Sequence, residues 1–483
     1  MTRILVRAGK DPLTPMSAEQ SLAISRNGVF GSNPGNMLFY TAAWRTLLTD
    51  DAELVADGYA MEQRSPRRIA GRINGEFDRV VIPLANAFRR SFVPQLARLT
   101  EVIQRLEVPV TVLGVGAQLD LDGGLDKAPQ ELRDGVQAFV QAVLERSPSI
   151  GVRGEFTRDL LRDVGIPDES IDVIGCPSLY GFGGDGSIAP KRELTDQSAL
   201  AVTYSPYVPG IAPFVKSVTT RYRNSYVVPQ TVEALALMLW GEPTRYAAKR
   251  ELPETAEHEL YLNDRMRFFV DATTWIDTLR DRDLVVGSRI HGTIAGLLAG
   301  VPSILVAHDS RTRELAEFHS IPHVRKEVLK SADVPGWYEK ADFSAFAAAH
   351  ARNVDTFARF LALHELEHVL GQATPRFDRE LAGVKLATPV HTIFAEGVDG
   401  KRAMLERLTW LRQGRRMDEL RSDPNPHVSF DDSPRRTLGA LLASIETGAR
   451  AARPFAGRGV LSRARRALKK KLGSLMPERT SRS

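Results

Sequence analysis

The sequence predicts an α/β protein of two doubly wound domains facing a cleft, followed by a helical extension and a basic tail. Three observations carry this. Short apolar strands alternate with helically spaced segments through both halves, the pattern of parallel sheets covered by helices on both faces. A Gly- and charge-rich stretch without periodicity, 181–197, separates the halves. Leu284 to Ala307 (LVVGSRIHGTIAGLLAGVPSILVA) reads strand, helix, strand, one crossover unit of a parallel sheet. The domains are placed at 1–185 and 198–387, both Rossmann-like, with the extension at 388–483.

In order, Ile4-Leu5-Val6 is a first strand. The glycines of 31–36 make a loop that allows close backbone approach to a ligand, and Met37 to Leu48 is the helix after it. Arg79 to Phe88 and Val110 to Gln118 are strands ending in the amides Asn86 and Gln118, with a helix over Val93 to Leu106 between them. Gly135 to Glu145 is helical, a strand at 149–152 runs into Arg153, and a helix follows with Leu160, Leu161 and Val164. Ile171 to Tyr180 is a strand closing in a turn, where Cys176 reads as a packed residue rather than a nucleophile. The second half opens with strands at Ala199 to Tyr204 and Tyr226 to Gln230. Helices at Val232 to Trp240 and Met266 to Leu279 lead into the crossover unit. There Thr293 to Ala299 is a buried helix, stopped by Gly300 and Pro302.

With 483 residues, 43% hydrophobic and 25% charged, the chain is an ordinary soluble one with room for two or three domains. The single cysteine excludes an internal disulfide and fits a reducing compartment. The first residues have no apolar run of signal-peptide length and no stretch suffices to span a bilayer, so the expected location is cytoplasmic. The net charge of +5 is unevenly spread. Residues 450–483 hold eleven Lys or Arg against one acid, Glu478, a net +10, which leaves −5 for the rest. Nothing in the mildly acidic body suggests a nucleic-acid groove.

The chemistry is expected at the polar elbow between Val286 and Thr293. Polar side chains at the carboxyl end of a buried strand are costly unless used, and open parallel sheets bind ligands at that end. In an extended elbow Arg289 and His291 would share a face. The helix start adds free N–H groups and a positive dipole end. Together these make an anion site beside a titratable group. The plainer alternative pairs Arg289 with an acid and makes His291 a satisfied core histidine.

The block Ser288-Arg289-Ile290-His291-Gly292 resembles the signature of the polysaccharide pyruvyl transferase family. The resemblance extends over about residues 26–370. It includes the Asn- and Gly-containing loop near Asn36, the strand into Arg153-Gly154-Glu155, the Gly175-Cys176-Pro177-Ser178 turn, and Asp309 to Glu314. It implies the two-domain arrangement called GT-B. It also implies transfer of pyruvate from phosphoenolpyruvate to two hydroxyls of a sugar, forming a ketal and releasing phosphate. A donor with a carboxylate and a phosphate calls for arginines, with Arg289 first and then Arg153 and Arg311. His291 suits proton transfer, to carbon or to the leaving phosphate. Asn36, Gln118, Ser288, Gly292, His308 and Asp309 complete the expected substrate-binding set. No cofactor and no metal are expected. The partners are phosphoenolpyruvate and a sugar, lipid-linked or polysaccharide acceptor. Two other readings stay open: a glycosyltransferase of the same frame using a nucleotide sugar, and an inactive glycan-binding or membrane scaffold.

Two segments stand outside this reading. His364-Glu365-Leu366-Glu367-His368 fits the zinc-protease pattern, in which two histidines share a helix face. A charged, solvent-facing helix within a helical stretch from Phe343 to Leu370 is preferred, and the extended motif's third histidine is absent because Thr374 occupies its place. At the end, Leu461, Leu468, Leu472 and Leu475 lie among cations, an apolar stripe suited to peripheral contact with the anionic inner face of a membrane.

Overall fold

The computed structural model describes residues 1–23, 29–31, 33–119, 128–372, 375–392 and 395. Beyond residue 395 the helical extension expected at 388–483, with its stripe at 450–483, lies outside the described residues.

The first half is a parallel sheet of β1 (Thr2–Val6), β2 (Ala52–Ala56), β3 (Arg79–Pro83) and β4 (Val110–Leu113), in the order β2-β1-β3-β4. A pair, β5 (Ile150–Val152) and β6 (Ile171–Val173), continues it, because Val115 just past β4 bridges Val152 in parallel. The second half is a five-stranded parallel sheet of β7 (Leu200–Thr203), β8 (Tyr226–Val228), β9 (Leu284–Gly287), β10 (Ser303–Ala307) and β11 (His323–Arg325), ordered β11-β10-β9-β7-β8. Strands β4, β7, β9 and β10 are buried along their whole length, as expected of apolar runs covered on both faces.

Helices cover the sheets: α1 (Gly35–Leu47), α2 (Val93–Ile103), α3 (Gln130–Leu144) and α4 (Glu155–Asp163) in the first half. In the second half they are α5 (Val232–Trp240), α6 (Ala272–Leu279), α7 (Ile290–Leu298) and α8 (Ser310–Phe318). The segment read as a helix from Met266 is shorter. Met266 and Phe268 form bridges with Val227 and Val390, and the helix begins only after Asp271, whose carboxylate accepts from Thr274 N at 2.9 Å. The chain thus forms two parallel, doubly wound α/β halves in a GT-B-like frame.

Each sheet reverses its order at one point: between β1 and β3 in the first half and between β7 and β9 in the second. Such switch points leave a crevice at the strands' carboxyl ends. At the second one the backbone approach is close. Gly287 has φ +147°, and a Cβ there would lie 1.7 Å from the Thr203 carbonyl oxygen.

A long helix, α9 (Phe343–Leu363), carries the chain back across the molecule. Residues 357–381, grouped with the second half in sequence, pack on the first. Phe357 meets Tyr180 with ring centroids 5.0 Å apart, Val369 N donates to Thr46 O at 2.9 Å, and Arg376 holds the Thr49 and Ala52 carbonyls. The helix does not reach Leu370 as expected. It ends in a Schellman turn, with Leu366 N donating to Leu361 O at 2.9 Å, Glu365 N to Ala362 O at 3.0 Å, and Glu365 at φ +53°. His364 is consequently a buried residue against Ser149 Oγ at 3.0 Å and Thr111 Oγ1 at 3.3 Å, not part of an exposed helical face. His364 and His368 share no helix. Among the described residues no His, Cys, Asp or Glu cluster is arranged to hold a metal, and no helix is long and apolar enough to cross a membrane.

Two glycine substitutions test this packing in opposite directions. Gly287→Ala should lower unfolding free energy by about 3 kcal/mol, through strain and the clash with Thr203. Gly71→Ala, in the helix Pro66–Glu76 with nothing within 4 Å of its added methyl, should raise it by about 0.5–1 kcal/mol. Urea denaturation midpoints read both.

Candidate functional site

The carboxyl ends of the two sheets open onto one cavity of about 370 Å³, with walls from both halves. Arg153, Asn36, Gln118, Arg289, His291 and Arg311 line it. Ser288, Gly292, His308 and Asp309 are not among the lining residues; they stand behind the wall.

The elbow is built differently from the extended form expected. Only Arg289 is extended, at φ −102° and ψ 108°, and it is the N-cap of α7, whose first residues are Ile290 and His291. Arg289 and His291 reach the same cavity because one precedes the helix and the other sits in its first turn. The Arg289 side chain does not cap the helix; its Nε donates to the Tyr204 carbonyl at 3.2 Å. The first-turn N–H groups of α7 therefore add to the positive potential. Behind the elbow, Ser288 Oγ accepts from Ser205 N at 2.9 Å, tying the ends of β7 and β9 together. Gly292 lets α7 lie on the strand ends, since a Cβ there would be 2.5 Å from Thr203 Cγ2.

His291 is buried against the first half. Its Nε2 lies 3.9 Å from the Cys176 Sγ, and its Nδ1 is so close to α1 that a Cβ at Gly35 would sit 2.4 Å from it. Burial, then the charges of Arg153, Arg311 and Arg289, hold the imidazole pKa well below its usual 6.5. The free protein thus carries a neutral His291 at neutral pH. Cys176 is fully buried, consistent with the packed role expected of it, and it packs against this ring.

Arg153 is fully buried. Its Nε donates to Gly114 O at 2.7 Å and its guanidinium lies 5.4 Å from the Phe39 ring centroid. Among the described residues its two terminal nitrogens have no hydrogen-bond partner. Burial depresses its pKa, but a guanidinium stays charged. A buried, unpaired cation beside a cavity can receive an anion.

The remaining expected residues organise the rim. Asn36 Nδ2 donates to Phe30 O at 2.8 Å and holds the loop above α1. Gln118 accepts from Asn86 Nδ2 at 2.6 Å and donates to Asp309 Oδ2 at 3.1 Å. Asp309 is occupied as the N-cap of α8, in a capping box with Thr312, and it also holds Arg311 NH2 at 3.2 Å. His308 is buried beside it, with Nε2 3.6 Å from Asp309 Oδ2 and its pKa pushed down to about 4 by burial. Contacts of α8 also stitch the halves. Ser310 N donates to Leu119 O at 3.2 Å, and Glu314 accepts from Thr157 N at 3.0 Å and from Thr157 Oγ1 at 2.8 Å.

The cavity also contains residues that were not singled out from sequence: Arg7, Tyr59, Glu62, Arg89, Tyr207 and Gln230. A signal existed for three of them. Arg7 follows β1 directly, while Tyr207 and Gln230 follow β7 and β8 within a few residues, so the strand-end rule applied at Asn86 and Gln118 would have found them.

No curated protein matches the chain in sequence. Among solved structures it is similar to the S. aureus MnaA–UDP co-structure, at 12% identity and TM-score 0.37, over 75% of this chain and 98% of that one. It is also similar to Methanocaldococcus jannaschii UDP-GlcNAc 2-epimerase in complex with UDP-GlcNAc and UDP, at 11% identity and TM-score 0.41, over 75% of this chain and 99% of that one. The sequence profile of polysaccharide pyruvyl transferases matches residues 33–310, more than half of the 483-residue chain and the stretch holding both Arg153 and the Arg289–His291 elbow, so the protein belongs to that enzyme family.

Proposed function

We propose that the protein transfers pyruvate from phosphoenolpyruvate to two hydroxyls of one sugar, in a glycan or glycan precursor, as a cyclic ketal. The observation that carries this reading is Arg153, a fully buried guanidinium with two unspent nitrogens, in the same cavity as Arg289 and His291. The donor brings a carboxylate and a phosphate, together close to three negative charges at neutral pH. Arg153 and Arg289 would hold these groups, with Arg311 kept in place by Asp309.

The proton balance suits a single histidine. Donor binding brings anions to His291 and raises its pKa, so the ring takes up a proton. The proton goes to the donor methylene, forming a C–H bond and leaving an oxocarbenium-like carbon. One acceptor hydroxyl attacks that carbon, forming the first C–O bond, and its proton returns to His291. The bond to the phosphate oxygen then breaks, the second hydroxyl forms the second C–O bond, and its proton leaves with phosphate. As the products leave, His291 gives its proton back to solvent, matching the one taken up on binding. In net terms two hydroxyl protons are lost, carbon gains one and phosphate one, and the charge of about minus three is unchanged. No co-reactant is needed. The basic tail at 450–483, outside the described residues, would keep the enzyme at an anionic membrane face near a lipid-linked acceptor.

Phosphoenolpyruvate at 100 times its dissociation constant should stabilise the protein by about 2.7 kcal/mol in a thermal shift measurement. Arg153→Gln should weaken its binding about thirtyfold, the loss of about 2 kcal/mol of charge-assisted hydrogen bonding. A shift with nucleotide sugars and none with phosphoenolpyruvate would overturn the donor assignment.

His291→Ala should bind phosphoenolpyruvate but release phosphate at least about 100-fold more slowly in the presence of an acceptor. Wild-type turnover by a folded variant would remove His291 from the chemistry.

Because the free-state pKa of His291 is depressed and the bound-state pKa is raised, binding should consume protons, and affinity should fall as pH rises through the bound-state pKa. Calorimetry in buffers of different ionisation enthalpy, at a pH where the donor phosphate is already a dianion, should show net proton uptake. The uptake should vanish in His291→Gln.

A further inference from the structure

Five arginines line the cavity: Arg7, Arg89, Arg153, Arg289 and Arg311. Two have carboxylate partners. Arg7 donates through Nε and NH2 to Glu62 Oε1 at 2.9 and 2.6 Å, and Arg311 holds Asp309 at 3.2 Å. Among the described residues, Arg153, Arg289 and Arg89 form no such ion pair. Arg153 and Arg289 are charge neighbours of His291 and fall to the donor in the reading above.

Arg89 lines the wall that the first half contributes to the cavity. It follows β3 in the first half, its Nε donates to Ser91 Oγ at 3.0 Å, and its guanidinium lies 5.0 Å from the Phe92 ring centroid. Its charge neighbours are Arg311 and Arg7, and then Glu62 and Tyr207, but not His291. Burial, with those two like charges, pushes its pKa down to about 10. With Arg7 paired to Glu62 and Arg311 to Asp309, the unpaired Arg89 leaves this wall with positive charge in excess. The same cavity is lined by Tyr59, Tyr207, Glu62 and Gln95, rings and hydroxyl-binding groups of the kind that hold a pyranose.

Resting on the pyruvyl-transfer reading, we infer that Arg89 anchors a negative charge on the acceptor, so that the sugar receiving pyruvate carries a carboxylate or a phosphate ester. Its hydroxyl pair then faces His291 while its anion faces Arg89. The two anion sources share one recognition chemistry, a fork of guanidinium donors on oxygen anions.

The test uses the full chain. With phosphoenolpyruvate saturating, glucuronate, glucose 1-phosphate and glucose are titrated calorimetrically, and the galactose series likewise. An anionic sugar should bind at least about tenfold tighter than its neutral counterpart, about 1.4 kcal/mol. Arg89→Gln should erase that preference without changing the phosphoenolpyruvate affinity, and Arg89→Lys should restore part of it. Whichever anion binds identifies the source, uronate or phosphate ester. Equal binding of neutral and anionic sugars, or none of either beside bound phosphoenolpyruvate, overturns the inference and leaves the donor assignment standing. A loss of phosphoenolpyruvate affinity in Arg89→Gln reassigns Arg89 to the donor and also overturns it. Absence of phosphoenolpyruvate binding to the wild-type protein would instead bring down the underlying function.

Discussion

A buried guanidinium without a counter-charge costs several kcal/mol of desolvation, and the cleft is organised around that constraint. Arg153 cannot turn toward solvent. Its Nε is fixed on Gly114 O at 2.7 Å, the Phe39 ring covers its face, and Gly116 presses so close that a Cβ there would lie 2.7 Å from Arg153 Cδ. The terminal nitrogens stay buried beside the cavity that Arg153 lines. On the far wall Arg289 is held by a neutral carbonyl at 3.2 Å, which orients the charge without neutralising it. Stability is thereby spent on two cations whose compensation comes with a ligand. The rest of the structure has to tolerate this, and the wholly buried strands β4, β7, β9 and β10 supply the apolar burial that does so.

The same field determines the state of His291. Burial and three arginines keep its ring neutral until an anion enters. Its surroundings work mainly by shape. Gly35 leaves room for the ring against the start of α1, and the Cys176 Sγ lies 3.9 Å from its Nε2. Under the proposed pyruvyl transfer, a histidine held in this way would titrate in response to bound charge rather than to bulk pH, and would become an acid once the donor is in place.

The parts of the fold legible in the sequence were those specified by local pattern. The crossover unit at 284–307 is a strand, helix and strand, and the Arg153 and Arg289–His291 elements lie at strand ends as the apolar runs indicated. The helix boundary at the elbow was misplaced because a polar Arg-Ile-His sequence looks like a turn, whereas tertiary packing buries its residues as the first turn of α7. The histidine pair at 364 and 368 misled for a related reason. A helix usually ends on glycine in the left-handed region, and here Glu365 takes that conformation at a cost of about 1–2 kcal/mol, so nothing in the sequence marked the stop. Arg89 carried no periodic signal, because its place in the cavity comes from a loop meeting residues more than 200 positions away. Asp309 illustrates the opposite difficulty. Its place beside the site was readable, but its carboxylate is spent on the Thr312 capping box, Gln118 and Arg311.

The cleft is also set before any ligand arrives. Gln118, Leu119 and Thr157 from the first half meet Asp309, Ser310 and Glu314 from the start of α8 in the second. Glu314 is buried, and burial pushes its carboxyl up to about 7, so even this contact avoids fixing a permanent full charge at the seam. The returning helix α9 adds a second tie, through Asn353 to Phe318 O at 3.3 Å and His364 to Ser149 at 3.0 Å. With both halves pinned beside Arg153, the guanidiniums need little rearrangement to meet an anion. Less of the electrostatic attraction is then lost to ordering the protein, and more of it is available to raise the pKa of His291.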